Sequence, residues 1–484
     1  MVFSDLLFLF CFLPSFALCY LLAGWIDRRF PNAALPATNR AKNAVLVLFS
    51  LIFYAWGEPV YVFLMLLSVL INFFVGLRVE KHLEERKKAK VWLTVGVAVN
   101  LLLLGTFKYL GFFGQLLADC GLPVGVPHLA LPIGISFYTF QSISYLVDVY
   151  RRESPAQHRF RDLLLYISMF PQLIAGPIVR YGTIASEING RRVSAADFAD
   201  GAYRFFIGLG KKVIIANQMA LIADQFLVNG LKDLTMWGAW IGILAFALQI
   251  YFDFSGYSDM AIGMGRAMGF HFKENFNHPY CCNSVSNFWR RWHISLGSFF
   301  RDYVYIPMGG NRRHQALNIF VVWALTGFWH GASWNFLIWG LYFGFFVAFE
   351  KYTILKLKNP LWQPLFHVYS LLVVLIGWGI FYFEDFGKMR HFFHAFFGGT
   401  QRGFDVVVQT AFTDNFFLWI AAVVLCLPVR SFACRRLGLS TFAQTTAGSY
   451  VRSIAHVAIS AALLVLSVSL LVGATNNPFI YTRF

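Results

Sequence analysis

Two histidines in this chain sit where an ionisable side chain is costly. His330 lies in TGFWHGASWNFLIWG, residues 326–340, and no charged residue occurs between Gln315 and Phe349. A polar group in such an apolar stretch costs several kcal/mol, on the order of 2.5–3.5 for a charge at a bilayer centre. An imidazole can stay neutral there and still exchange a proton near neutral pH, which is what a general base must do. The plain alternative is a packed histidine that donates to a backbone carbonyl. His293 lies 37 residues earlier in NSVSNFWRRWHISLGSFFRDYVYIPMGGNRR, residues 283–313. That segment mixes Trp289, Trp292, Phe299 and Phe300 with Arg290, Arg291, Arg301 and Asp302, the composition of an interfacial or cavity-lining stretch. It reads either as an interfacial anchor in which Asp302 pairs a nearby arginine, or as a basic mouth for an anionic, phosphate-bearing donor with His293 at its inner end.

A third polar cluster, QIYFDFSGYSDMAIGMGRAMGF at 249–270, places Asp253 and Asp259 beside Ser255, Tyr257 and Ser258 in apolar surroundings. Two acids there suit an ion path, or partners for the arginines of the following segment; the second, structural reading is preferred. Gly263, Gly265 and Gly269 follow a GxGxxxG spacing with no preceding strand signal, so they suit close helix packing rather than a dinucleotide site. There is no GxSxG elbow, HExxH pair or Walker loop, which leaves serine hydrolase, zincin and pump ATPase without support. The seven cysteines show no CxxC or zinc-ligand spacing and read as small buried hydrophobes; no metal and no resident cofactor is expected.

The elements that carry these residues must be membrane helices. Of 484 residues 58% are hydrophobic and only 13% charged, against roughly 25% charged in a soluble domain. The net charge of +16 follows from basic loops on the cytoplasmic side rather than from nucleic acid. Residues 5–26 lack a basic region before their apolar run and read as a retained first span with its N-terminus outside. Further apolar runs lie near 43–56, 60–77, 91–107, 131–149, 213–228, 237–260, 318–349, 366–383, 412–428 and 455–474. Basic clusters at 78–90, 151–161, 191–212, 266–314, 351–358 and 430–452, all placed inside, give a nearly consistent alternation with both termini periplasmic. Residues 163–180, with Pro171, Gly176 and Pro177, predict a re-entrant hairpin, and the 32-residue run 318–349 predicts a helix broken at GFWHGAS, 327–333. No internal repeat or low-complexity linker divides the chain, so a single membrane-embedded domain spanning 1–484 is expected.

FWHG preceded by FWRRWHISL, with LPIGISFYTFQSISYLVDVYR at 131–151, FPQLIAGPIVR at 170–180, YFDFSGYSDMAIGMG at 251–265 and RDYVYIPMGGNR at 301–312, resembles the membrane-bound O-acyltransferase family over essentially the whole chain. The likeness is to its bacterial polysaccharide O-acetyltransferase branch, which serves alginate and peptidoglycan, and to the related D-alanine transfer proteins. It implies an all-α bundle of about 10–11 spans, with re-entrant and interfacial helices around a central tunnel, in a bacterial inner membrane. It implies a core at about 131–350 and an extracytoplasmic tail at 475–484. It identifies His330 and His293 as the family's two histidines and implies acetyl-CoA as donor, held by Arg290, Arg291, Trp292, Trp329 and Asn311. Asp253, Asp259, Tyr257 and Asp302 then serve as structural or tunnel polar groups. The terminal FIYTRF matches an FxYxxF motif whose tyrosine, here Tyr481, is proposed to carry the acyl group, with Thr482 and Arg483 inside the motif; an aromatic interface anchor is the alternative.

The scheme expected from this resemblance has His330 as general base on an acceptor hydroxyl and His293 orienting the donor or stabilising the oxyanion. The acetyl group passes to a periplasmic SGNH-like transferase partner and then to a polysaccharide. Two rivals are a proton-coupled exporter using Asp253, Asp259 and His330, and a non-catalytic scaffold. Neither requires histidine at both positions.

Overall fold

The computed structural model describes residues 2–30, 39–126, 129–174, 176–357, 360–400, 403–429, 432–433 and 445–473. Among these residues there is no strand. Seven helices are long and apolar enough to cross a membrane: Phe8–Arg29, Tyr61–Lys81, Arg86–Asp119, Ala195–Asn229, Met236–Ala267, Gln363–Tyr382 and Gly448–Val472. Val406–Thr413 and Phe416–Cys426, bent by 61°, make an eighth if taken as one span. Shorter helices lie beside these, among them Ile135–Tyr150 and Gln315–His330 at 16 residues and Trp334–Tyr352 at 19. At 1.5 Å per residue these reach only about 24–29 Å, less than a full hydrocarbon core. The chain is an all-α, multi-pass membrane protein.

The chain divides into two compact units, one built from residues 2–205 and 258–273, the other from 206–257 and 274–473. In the first unit, polar side chains knit the helices from within. Asn72 and Asn100 donate to each other's amide oxygens at 3.1 and 2.7 Å, because a buried amide must find its partners inside the protein. The predicted hairpin region begins as two helical pieces, Phe160–Ser168 and Phe170–Leu173, broken at Met169, and neither is long enough to span. Phe170 anchors the second piece among Phe12, Phe16 and Phe53, at ring separations of 5.4, 5.2 and 5.7 Å.

The sequence reading places 191–212 in a basic cytoplasmic loop, but the Ala195–Asn229 helix already includes most of it. The cations are tolerated because carboxylates meet them. In the first unit Arg204 donates through Nε and Nη2 to Asp259 at 3.0 and 2.8 Å. In the second, Lys212 reaches Asp253 at 2.7 Å, with both side chains almost fully buried. Asp253 and Asp259 thus take partners from the preceding helix, which corrects the expectation that they hold the arginines of the following segment. Small residues allow this approach: a Cβ on Gly263 would stand 2.6 Å from the carbonyl oxygen of Gly201, and one on Gly256 would stand 2.7 Å from that of Gly208. The cysteines also depart from expectation, since Cys11 and Cys120 are exposed while Cys282 and Cys426 are buried.

In the second unit the 318–349 run breaks at residues 331–333, inside the predicted GFWHGAS, giving the helices Gln315–His330 and Trp334–Tyr352. Two glycines bring them together. A Cβ on Gly327 would overlap the carbonyl oxygen of Phe336, and one on Gly340 would overlap that of Trp323. The core around this hairpin is tryptophan-rich, with Trp289, Trp292, Trp339 and Trp378 in mutual contact.

Removing one partner of the Lys212–Asp253 pair strands a buried charge, at a cost of about 3–5 kcal/mol, whereas replacing both with apolar groups is close to neutral. Lys212→Met is therefore expected to lower the thermal midpoint in detergent far more than Lys212→Met with Asp253→Leu. A double variant no more stable than the single would refute the structural role of the pair.

Candidate active site

His293 begins the short helix Ile294–Phe300 and has φ 43° and ψ 54°, the left-handed region. A non-glycine residue pays roughly 1–2 kcal/mol to sit there, so the surroundings must hold it. Asn275 does so twice. Its backbone carbonyl accepts from Ile294 N at 2.9 Å, and its side-chain Oδ1 accepts from Ser295 N at 3.1 Å and Ser295 Oγ at 2.9 Å. The same Oδ1 lies 3.2 Å from His293 Nδ1.

These contacts bear on the tautomer. A backbone N–H can only donate, so the Asn275 atom it meets is the oxygen; His293 Nδ1 facing that oxygen carries the hydrogen when Ser295 Oγ, 3.4 Å from Nδ1, donates to Asn275 rather than to the ring. His293 lies outside the candidate spans, only 2% exposed, and burial pushes its pKa down to about 3. The ring is then neutral at physiological pH and Nε2 bears the lone pair. Such a nitrogen accepts a hydrogen bond.

His330 is the last residue of the Gln315–His330 helix and is 4% exposed. Its ring packs edge-to-face against Trp329, Trp339 and Phe381 at 4.8, 5.0 and 5.3 Å. The turn that follows is equally tight, since a Cβ on Gly331 would overlap the Phe336 ring. Trp329 also contacts the His293 ring, at 5.8 Å, so one indole touches both imidazoles. Phe254 closes the other approach to His293 at 4.7 Å.

The remaining candidates scatter around this pair. Trp292 is a core residue, stacked 5.5 Å from Phe288 and edge-on to Phe276 at 5.1 Å, so its ring contributes packing in the arrangement seen here. Arg290 is exposed and donates to the Ser286 carbonyl at 3.2 Å; Arg291 is partly buried and donates to Asn287 Oδ1 at 3.0 Å. Asn311 is exposed and its Oδ1 accepts from Tyr305 OH, Gln315 Nε2 and Lys351 Nζ at 2.7, 2.6 and 2.7 Å. Asp302 is held by its neighbour Arg301 through two hydrogen bonds, 2.6 and 3.0 Å. Tyr257 is buried on the Met236–Ala267 helix, which also carries Asp253 and Asp259 in their ion pairs. Tyr481 lies outside the described residues.

Two contributors escaped the sequence reading. Asn275 stands in the unremarkable stretch FKENFN. Glu350 is the first charge after the long apolar run, and that position was its only signal. It is fully buried, and its carboxylate accepts from Val285 N at 2.5 Å and Ser286 N at 2.7 Å. Together with Ser284 Oγ, which accepts from Asn287 N at 2.9 Å, it satisfies the open N-terminus of the Val285–Arg291 helix that leads into His293.

The family model described as MBOAT, membrane-bound O-acyltransferase, matches residues 48–386. The chain is 41% identical over 405 residues to the probable alginate O-acetylase AlgI of Pseudomonas aeruginosa, covering 82% of this chain and 75% of that protein. It is 37% identical over 385 residues to the peptidoglycan O-acetyltransferase of Helicobacter pylori, covering 72% and 70%. It is 29% identical over 276 residues to the teichoic acid D-alanyltransferase of Bacillus subtilis, covering 53% and 67%.

Hydrogen bonds to a charged acceptor are each worth about 1.5–3 kcal/mol. Glu350→Ala is therefore expected to lower the thermal midpoint and red-shift tryptophan emission from the core around Trp289 and Trp292, with Glu350→Gln intermediate. An unchanged midpoint and spectrum in Glu350→Ala would show that the carboxylate does not hold this helix.

Proposed function

The chain belongs to the membrane-bound O-acyltransferase family, and from that premise we propose that it moves an acetyl group from acetyl-CoA on the cytoplasmic side to an extracytoplasmic acceptor, for O-acetylation of a cell-surface polysaccharide. It is an acyltransferase; the donor, the acceptor and the membrane sidedness are the proposal. The relatives named for alginate and peptidoglycan support a polysaccharide as the final acceptor, and the greater identity and coverage of the alginate relative, 41% over 82% of the chain against 37% over 72%, favour the alginate type. The observation that carries the reading is the pair of buried histidines touching one tryptophan, His293 beside Asn275 and His330 in an aromatic cage.

In this reading the acetyl thioester lies beside Trp329. His330 takes the proton of the attacking hydroxyl as its oxygen bonds to the thioester carbonyl carbon. The carbon–sulfur bond then breaks, CoA leaves as thiolate, and the proton on His330 passes to the thiolate or to water. His293 Nε2 accepts a hydrogen bond from an N–H or O–H of the bound reactants and fixes their approach. Dry surroundings around both rings keep water from hydrolysing the thioester. Arg290 and Arg291, on the helix leading to His293, offer charge for the phosphates of CoA. Tyr481 is proposed as the first acceptor of the acetyl group, relaying it to a periplasmic SGNH-like transferase partner. Both termini are proposed to be periplasmic, in a bacterial inner membrane.

General-base catalysis contributes about 10²–10⁴-fold. With the protein in nanodiscs, labelled acetyl-CoA and the periplasmic transferase, His330→Ala is expected to release CoA at least 10²-fold more slowly while keeping its thermal midpoint. Tyr481→Phe is expected to leave no label on the chain. Full activity in a folded His330→Ala variant would overturn the assignment. If no variant, wild type included, consumes acetyl-CoA, the donor is wrong.

A further inference from the structure

The first unit contains a cavity of about 610 Å³ that the acyl-transfer reading does not use. One wall is a single face of the Phe8–Arg29 helix, where Leu13, Phe16, Ala17, Tyr20, Leu21 and Gly24 recur at helical spacing. From Leu13 to Gly24 this face runs about 17 Å at 1.5 Å per residue. Phe198 and Met264 complete an apolar trough, and Leu21 and Phe198 at its edge are more than half exposed, so the trough opens toward the bilayer.

Past Gly24 the lining changes character within one turn. Arg28, Lys42, Arg191 and Arg192 face the cavity with a single acid, Asp27. That carboxylate is already engaged by Ala41 N and Lys42 N at 2.9 and 3.1 Å. Arg191 is 5% exposed and rigidly placed: it donates to Tyr20 OH, the Met268 carbonyl, Asn43 Oδ1 and the Ile188 carbonyl, all neutral acceptors, and stacks on Phe270 at 4.5 Å. Its Nη2 has no hydrogen-bond partner among the described residues. Lys42 lies 5.5 Å from the Tyr20 ring, at the junction of the apolar and basic parts. The cavity thus carries a net positive end on a long apolar trough, a shape and charge complementary to an anionic head on an extended hydrocarbon chain.

We propose that this cavity binds an anionic phospholipid, with one acyl chain in the trough beside Ala17 and the phosphate at Lys42 and Arg192. The orientation argues for a lipid over a soluble anion, because the apolar part lies along a membrane-crossing helix whose last turn carries Arg28 and whose Gly24 packs against Lys42. An acetyl thioester has a two-carbon acyl group and leaves the trough empty.

The test is native mass spectrometry of the detergent-purified full chain with dioleoyl phosphatidylglycerol, dioleoyl phosphatidylcholine of the same chains, and sn-glycerol 3-phosphate. The expected result is a one-lipid adduct at least tenfold tighter for phosphatidylglycerol than for phosphatidylcholine, with no glycerol phosphate adduct and no displacement by acetyl-CoA. Lys42→Gln with Arg192→Gln should erase that preference, and Ala17→Trp should remove the adduct with both lipids. Lys87→Gln with Lys90→Gln, the same loss of charge on exposed residues outside the cavity, should retain the preference and guards against a global effect. Equal binding of the two lipids, or a preference that survives the Lys42 and Arg192 changes, overturns the proposal. Glycerol phosphate binding as tightly would assign a soluble phosphate instead, and displacement by acetyl-CoA would assign the thioester donor; either outcome also overturns it.

Discussion

A polar side chain surrounded by hydrocarbon has no water to turn to, and its partner must come from the same protein. This constraint organises the molecule at every scale. It pairs Asn72 with Asn100 and Lys212 with Asp253 inside helical packing. It lets the buried carboxylate of Glu350 act as an end-piece for the Val285–Arg291 helix. It also lets one amide, Asn275, hold a histidine in a backbone conformation that a side chain seldom adopts. Each of these groups would be destabilising alone, and each becomes a positioning device once it is satisfied.

The site shows the same economy. Glycine at 327 and 340 lets two helices close on each other, so that the chain can turn immediately after His330 and keep its ring among Trp329, Trp339 and Phe381. Trp329 then lies against both histidines. Rigid aromatic packing fixes ring orientation where hydrogen bonds are few, and the contact with Asn275 orients the His293 ring. In the proposed acyl transfer, positioning of this kind is where a buried base gains most, because the reacting groups need not reorganise.

Much of this was legible in the residues. The absence of charge between Gln315 and Phe349 marked His330 as exceptional, and the length of that run required the break observed at 331–333. The partners were harder to read. A basic stretch at 191–212 looks like a loop as long as its charges are counted without their mates, and the mates stand some fifty residues away in sequence on another helix. Asn275 was invisible for the same reason: its role depends on a contact with His293 that no local spacing encodes. Trp292 shows the converse, since its place beside arginines suggested a binding surface, whereas its ring fills the core between Phe288 and Trp378.

The central claim is that His293 and His330 serve a single reacting centre beside Trp329. A double-mutant cycle on CoA release tests it directly, using His293→Gln, His330→Gln and the combined variant, each verified as folded. Residues acting as one unit give strongly non-additive losses. The account predicts that the combined variant is no slower than the slower single variant. Losses that multiply in the combined variant would contradict it, and would place the two histidines in independent roles.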